Sequence, residues 1–143
     1  MLAALCYLGL VSTVYMTGVV WFAQVVHYPL LKRGVDDNDF PAFAAEYQRR
    51  TLWVVLPGLT GKVASSTMMV WLWPSSQTWI GLVLLAVVWG LTLSFQIPQH
   101  TKLKHGYDRD THDALVRWNL PRAIVWSLRS IVLVWTTLTI PTG

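Results

Sequence analysis

The chain has 143 residues, of which 54% are hydrophobic, 13% charged and nine Trp, with a formal net charge of +4. Soluble domains carry roughly 25% charged residues, and the apolar residues here form four long blocks, so the composition excludes an ordinary soluble domain and points to a membrane protein. No soluble basic domain accompanies the positive charge, which excludes a nucleic-acid partner, and the lone Cys6 excludes an internal disulfide.

The first block, about 3–27, starts without Lys or Arg and runs into Gln24, His27, Tyr28 and Pro29. A signal peptide has a basic leader and a shorter apolar core, so the block reads as a retained span. In the loop that follows, 28–50, residues 38–50 read as a short helix. Asp39 stands at its cap, Pro41 in its first turn, and Phe40, Phe43 and Tyr47 form an apolar stripe. Such a helix is expected to lie along the inner membrane surface or to cover the mouth of the bundle.

The second span, about 51–73, is interrupted by Pro57, Gly58, Gly61 and Lys62. A kinked span is expected rather than a re-entrant segment, which would strand the Trp-rich stretch after it. The third, about 78–98, is almost unbroken apolar sequence from Trp79 to Phe95. The loop 99–118 ends in a weaker helical segment, 110–118. The fourth span, about 119–140, is expected to start on Asn119 as cap, with Pro121 in its first turn. Each span reaches the roughly 20 residues that cross a bilayer.

The loops orient these spans. Lys32, Arg33, Arg49 and Arg50 lie in one loop and Lys102, Lys104, Arg109 and Arg117 in the other; the Pro74–Gln77 connection and both termini have no Lys or Arg. The positive-inside rule makes this side cytoplasmic and puts both termini on the periplasmic or extracellular side of an inner membrane. The reading is thus an all-α integral membrane four-helix bundle, one domain over 1–143.

An internal repeat at an offset of 72 residues pairs Gln24 with Gln96, Leu31-Lys32 with Leu103-Lys104, Gly34 with Gly106, Asp36 with Asp108 and Arg50 with Arg122. It suggests two parallel helical hairpins. Gly34 and Gly106 would be turn glycines.

Lys62, Arg122 and Arg129 stand inside spans that contain no acidic residue. A charged side chain at that depth is costly and usually faces the bundle interior, a cavity or a partner. Lys62 lies roughly 16 Å and Arg129 roughly 15 Å into its span at 1.5 Å per residue. Arg122 can snorkel to the inner headgroups. Trp118, Arg122, Trp126 and Arg129 share one helix face. Gln24, His27 and Tyr28 share another, and Gln96 and His100 flank Pro98. Together with Asn119 these residues sketch a polar half-cavity on the cytoplasmic side. It would suit a lipid phosphate, a carboxylate or a quinone carbonyl. His27 and His100 also allow a bis-histidine haem, although an interfacial structural role is the simpler reading for each. His105 and His112 are expected on the surface. The spans have no Glu, which disfavours a dinuclear iron site, and no metal site is assigned.

In its length, the His27-Tyr28-Pro29 exit from span one and the aromatic loop leading to Arg49-Arg50, the chain resembles the anthrone-oxygenase-like group of small four-helix membrane proteins. Pro57, Asn119, Trp126 and Arg129 extend the resemblance over most of the chain. It implies a four-helix membrane fold and, for some members, oxidation of anthrones to anthraquinones. Two departures argue against carrying that activity over: Lys62 where an acidic residue would be less surprising, and the Gln96-Ile97-Pro98-Gln99-His100 end of span three.

The sequence therefore favours a membrane protein binding an anionic or quinone-like lipophilic ligand through Lys62, Arg129, Arg122, His27, Tyr28, Gln24, Gln96, His100, Asn119 and Trp126. The alternatives are an accessory subunit, whose partner complex or homo-oligomer neutralises the cations, and an anthrone-oxygenase-like enzyme.

Overall fold

The computed structural model describes residues 1–31 and 38–140. It is all-α: four helices, α1 (Leu2–Leu30), α2 (Phe40–Leu72), α3 (Ser76–Leu103) and α4 (Arg109–Thr139), form an up-and-down bundle. The chain ends meet at one end, where Cys6 Sγ lies 3.3 Å from Thr137 Oγ1. At the other, the loop end, His112 Nε2 donates to the Tyr28 carbonyl at 2.9 Å. His112 is thus buried and ties α4 to α1, contrary to its expected surface placement, while His105 is exposed. Lys32, Arg33, Gly34 and Asp36 lie outside the described residues. Gly106 sits in the turn between α3 and α4 at φ 145°, a conformation that favours glycine.

Two boundaries differ from the sequence reading. The 38–50 segment is no separate surface helix; it is the first third of the 33-residue α2, which continues unbroken through Pro57 and rules out a re-entrant segment. Asp39 takes the N-cap position without a side-chain cap bond. Likewise α4 starts ten residues before Asn119. Asp108 is its N-cap and accepts from the Thr111 amide, so Pro121 lies inside the helix and Asn119 is core rather than cap. Both stretches read as helical in the sequence, but their continuity with the spans was hidden, because the hydrophobic pattern that marks a span stops where the residues turn polar.

Both odd-numbered helices widen before a proline. Residues Ala23–His27 of α1 and Thr92–Gln96 of α3 are π-helical: the Tyr28 amide reaches back to the Ala23 carbonyl, and the Ile97 amide to that of Thr92. Pro29 and Pro98 follow. A proline lacks the N–H for its own turn and crowds the carbonyl four residues back, and widening that turn relieves the clash. The π segments, the prolines and the N-cap aspartates Asp39 and Asp108 all recur 69 residues apart, not 72. Gln24 and Gln96 are consequently not equivalent: one lies near the start of its π segment, the other at the end.

Helix α1 packs along both α2 and α4, and α3 along α4, whereas α2 and α3 touch far less. The α1–α2 contact depends on small residues. A Cβ on Gly61 would lie 2.5 Å from Ser12 Oγ, and one on Gly58 2.7 Å from Met16 Cγ. Ser12 can turn aside for one methyl but not for an isobutyl group. Gly61→Leu is therefore expected to destabilise the bundle by about 1–3 kcal/mol through overpacking, read as a lower midpoint of thermal unfolding in mild detergent; Gly90→Leu, where nothing lies within 4 Å, is the control.

Polar and cationic side chains share the core with apolar ones, and large apolar side chains also cover the outside. Lys62, Arg129, Gln96 and Asn119 are at most 1% exposed, while Trp71, Leu138, Trp53 and Ile131 are 66–80% exposed. Helices α1 and α3 are long and apolar enough to cross a membrane.

Candidate functional site

Because α2 packs on α1 and leaves α3, a cavity of about 860 Å³ opens between its first half and the rest of the bundle. Its walls are mostly apolar. Val54, Leu52 and Ile97, which line it, are all about half exposed; Arg50 and Lys104 line it at the loop end. Both π segments border it through Ala23, His27, Thr92 and Gln96. The widened turns thus shape the helices where the cavity needs polar groups.

At its deep end is Lys62, whose Nζ lies 4.0 Å from the Trp126 ring centroid and 5.5 Å from that of Trp89. These cation–π contacts offset part of the cost of its burial, but no carboxylate salt bridge forms among the described residues. Toward the loop end comes Arg122, beside the Tyr28 hydroxyl, with its buried Nε lacking a hydrogen-bond acceptor. The Tyr28 hydroxyl lies 3.4 Å from both Gln96 Oε1 and His100 Nε2. Gln96 also donates to the Leu115 carbonyl, and Gln48 donates to the His100 carbonyl at 2.6 Å. His27 stacks flat on Tyr47, with centroids 4.1 Å apart. His100 thus meets the Tyr28 hydroxyl, whereas the buried Nε2 of His27 has no hydrogen-bond partner among the described residues. Among the described residues no group of three His, Cys, Asp or Glu side chains could hold a metal ion.

Glu46 is the acidic residue among those described that lines the cavity, and it sits at the rim. Hydrogen bonds from Arg49 and Arg50 hold its carboxyl down to about 2, so it stays ionised and already paired. The cavity keeps an excess of positive charge.

The structure divides the residues that the sequence grouped. Lys62, Arg122, Trp126, His27, Tyr28, Gln96 and His100 line the cavity. Gln24, Asn119 and Arg129 do not. Asn119 donates to Gln24 Oε1 at 2.8 Å and joins α4 to α1. Arg129 points toward the chain-terminal end, where it donates to the Gly81 carbonyl and, at 2.6 Å, to Ser66 Oγ. It borders a separate void of about 20 Å³, room for one water molecule. Depth along the span could not separate Lys62 from Arg129, since it does not give the direction of a side chain. Gln48 is a site residue that the sequence reading passed over. Trp89 also lines the cavity, as do Phe43 and Tyr47 of the stripe, for which the membrane surface and the mouth of the bundle were the two expected targets.

Compared with family models, curated proteins and solved structures, the chain matches none of them.

Proposed function

We propose that this four-helix bundle spans a membrane and holds a lipophilic, anionic or quinone-like ligand between α2 and α3, in the half nearest the loop end. Three features support the membrane reading. Large apolar side chains cover the outside at a density that water would not tolerate. Polar and cationic groups are turned inward. The loop cations cluster at one end, which the positive-inside rule makes cytoplasmic, with both termini opposite.

The observation that carries the ligand reading is Lys62: a buried ammonium at the end of a roomy, mostly apolar cavity, held by two indoles and no anion. An incoming oxygen that is negative or strongly polar would complete its coordination, and Arg122 would bind a second one. Burial of the cations favours this over the accessory-subunit reading. Arg129 finds acceptors within the chain, and Lys62 faces the cavity, so neither points outward to an acidic neighbour.

Intact-complex mass measurement after purification in mild detergent tests the proposal. The expected result is an added small-molecule mass that is retained in the wild-type protein and absent from Lys62→Met. A bare polypeptide mass, together with no quenching of tryptophan fluorescence by an added alkyl-4-nitrophenol, would sink it.

A further inference from the structure

We propose that the void beside Arg129, in the chain-terminal half of the bundle, is a binding site for one small anion, chloride or a halide of similar size. The site is separate from the cavity between α2 and α3 and does not depend on the ligand reading above.

All four helices meet at this void. Cys6 and Gly9 line it from α1, Ser65 and Ser66 from α2, Thr78 from α3 and Arg129 from α4. Arg129 is fully buried, yet its guanidinium is only partly satisfied. One terminal nitrogen donates to the Gly81 carbonyl and the other to Ser66 Oγ, whereas Nε has no acceptor among the described residues. Both partners are neutral. The described acidic residues, Asp39, Glu46, Asp108, Asp110 and Asp113, all lie toward the loop end, so none neutralises Arg129. A buried cation without a counterion is strongly unfavourable. A lysine can escape that cost by giving up its proton, but an arginine cannot, because its guanidinium stays charged in proteins. Water would solvate this charge; an anion would cancel it.

Size decides which anion. About 20 Å³ holds one water-sized particle, so a phosphate, a carboxylate or a lipid headgroup does not fit and a monatomic ion does. Small residues keep the space open: a Cβ on Gly9 would lie 3.0 Å from Ser65 Oγ, and one on Gly81 3.4 Å from Arg129 Nη1. A second donor is at hand. Ser65 and Ser66 both donate to the Lys62 carbonyl, at 3.2 and 2.6 Å. The shorter bond already satisfies that oxygen, so the Ser65 hydroxyl is free to turn toward an ion in the void. Charge from Arg129 and an O–H from Ser65 together make a site that accepts a halide and repels a cation.

The test is thermal unfolding of the full chain in mild detergent, with sodium chloride exchanged for sodium gluconate at constant ionic strength. Gluconate is too large for the void. The expected result is a midpoint that rises with chloride along a saturable curve, as binding to the folded state alone requires. Arg129→Met should lose the saturable rise. Ser65→Ala keeps the charge and should need about 2- to 10-fold more chloride for half the effect, the worth of one neutral hydrogen bond. Because it removes a single hydroxyl, Ser65→Ala decides the matter if Arg129→Met does not fold, and an unchanged chloride requirement in it would overturn the proposal. No chloride-dependent rise in the wild-type protein would leave the void to water and overturn it as well. So would a rise that never saturates, or one that persists in Arg129→Met, each the mark of a general salt effect.

Discussion

Lys62→Met is expected to weaken binding of an acidic lipophilic probe about 10- to 100-fold and to leave the bundle at least as stable as before. The two halves of this result have one cause. A hydrogen bond to a charged group contributes about 1.5–3 kcal/mol, and the ligand loses it. The free protein, in contrast, loses a buried cation that no carboxylate among the described residues neutralises. Exchange of a buried charge for an apolar side chain of similar volume is often neutral or stabilising. Methionine also keeps contact with the faces of Trp126 and Trp89, since its thioether packs well on aromatic rings. Quenching titration and thermal unfolding in the same detergent check both halves. A variant that binds as the wild type does would remove Lys62 from the site; one that melts much lower would make it a structural residue.

Arg129→Ala should show the opposite pattern, a loss of about 2–5 kcal/mol in stability with probe affinity changed less than about twofold. Arg129 is fully buried and links three helices, through the Gly81 carbonyl of α3 and Ser66 of α2. Truncation beside an existing void opens a larger cavity, and large-to-small core changes cost this much. Arg129→Met fills most of that volume and should recover at least half of the loss. Denaturant or thermal unfolding of the three proteins, run beside quenching titrations, separates volume from charge. Strong loss of binding in Arg129→Met with normal stability would return Arg129 to the ligand site.

The contrast between these residues shows how far one chain of letters reaches. Four apolar blocks of span length, loop cations on one side and basic residues inside the blocks were legible, because each follows from composition along a single line. The helix count followed from them. Pro29 and Pro98 were visible as breaks, but their outcome, a widened turn before each, depends on the neighbours that hold the helix together around the missing N–H.

What only the tertiary structure decided is direction. Asn119 looked like a cap because Ser, Thr, Asp and Asn before an apolar run usually are caps; packing made it a buried link to Gln24. His112 looked exposed because its segment is polar, yet it meets the Tyr28 carbonyl. Lys62 and Arg129 stand at similar depth from their span ends. One turns into a large cavity between two indoles and the other into the tight chain-terminal half of the bundle. Sequence determined that this protein carries cations in an apolar core, because hydrophobicity and charge belong to the residues. Where those cations point depends on which helix faces meet, and the close α1–α2 approach at Gly58 and Gly61, with α2 kept off α3, sets that in space.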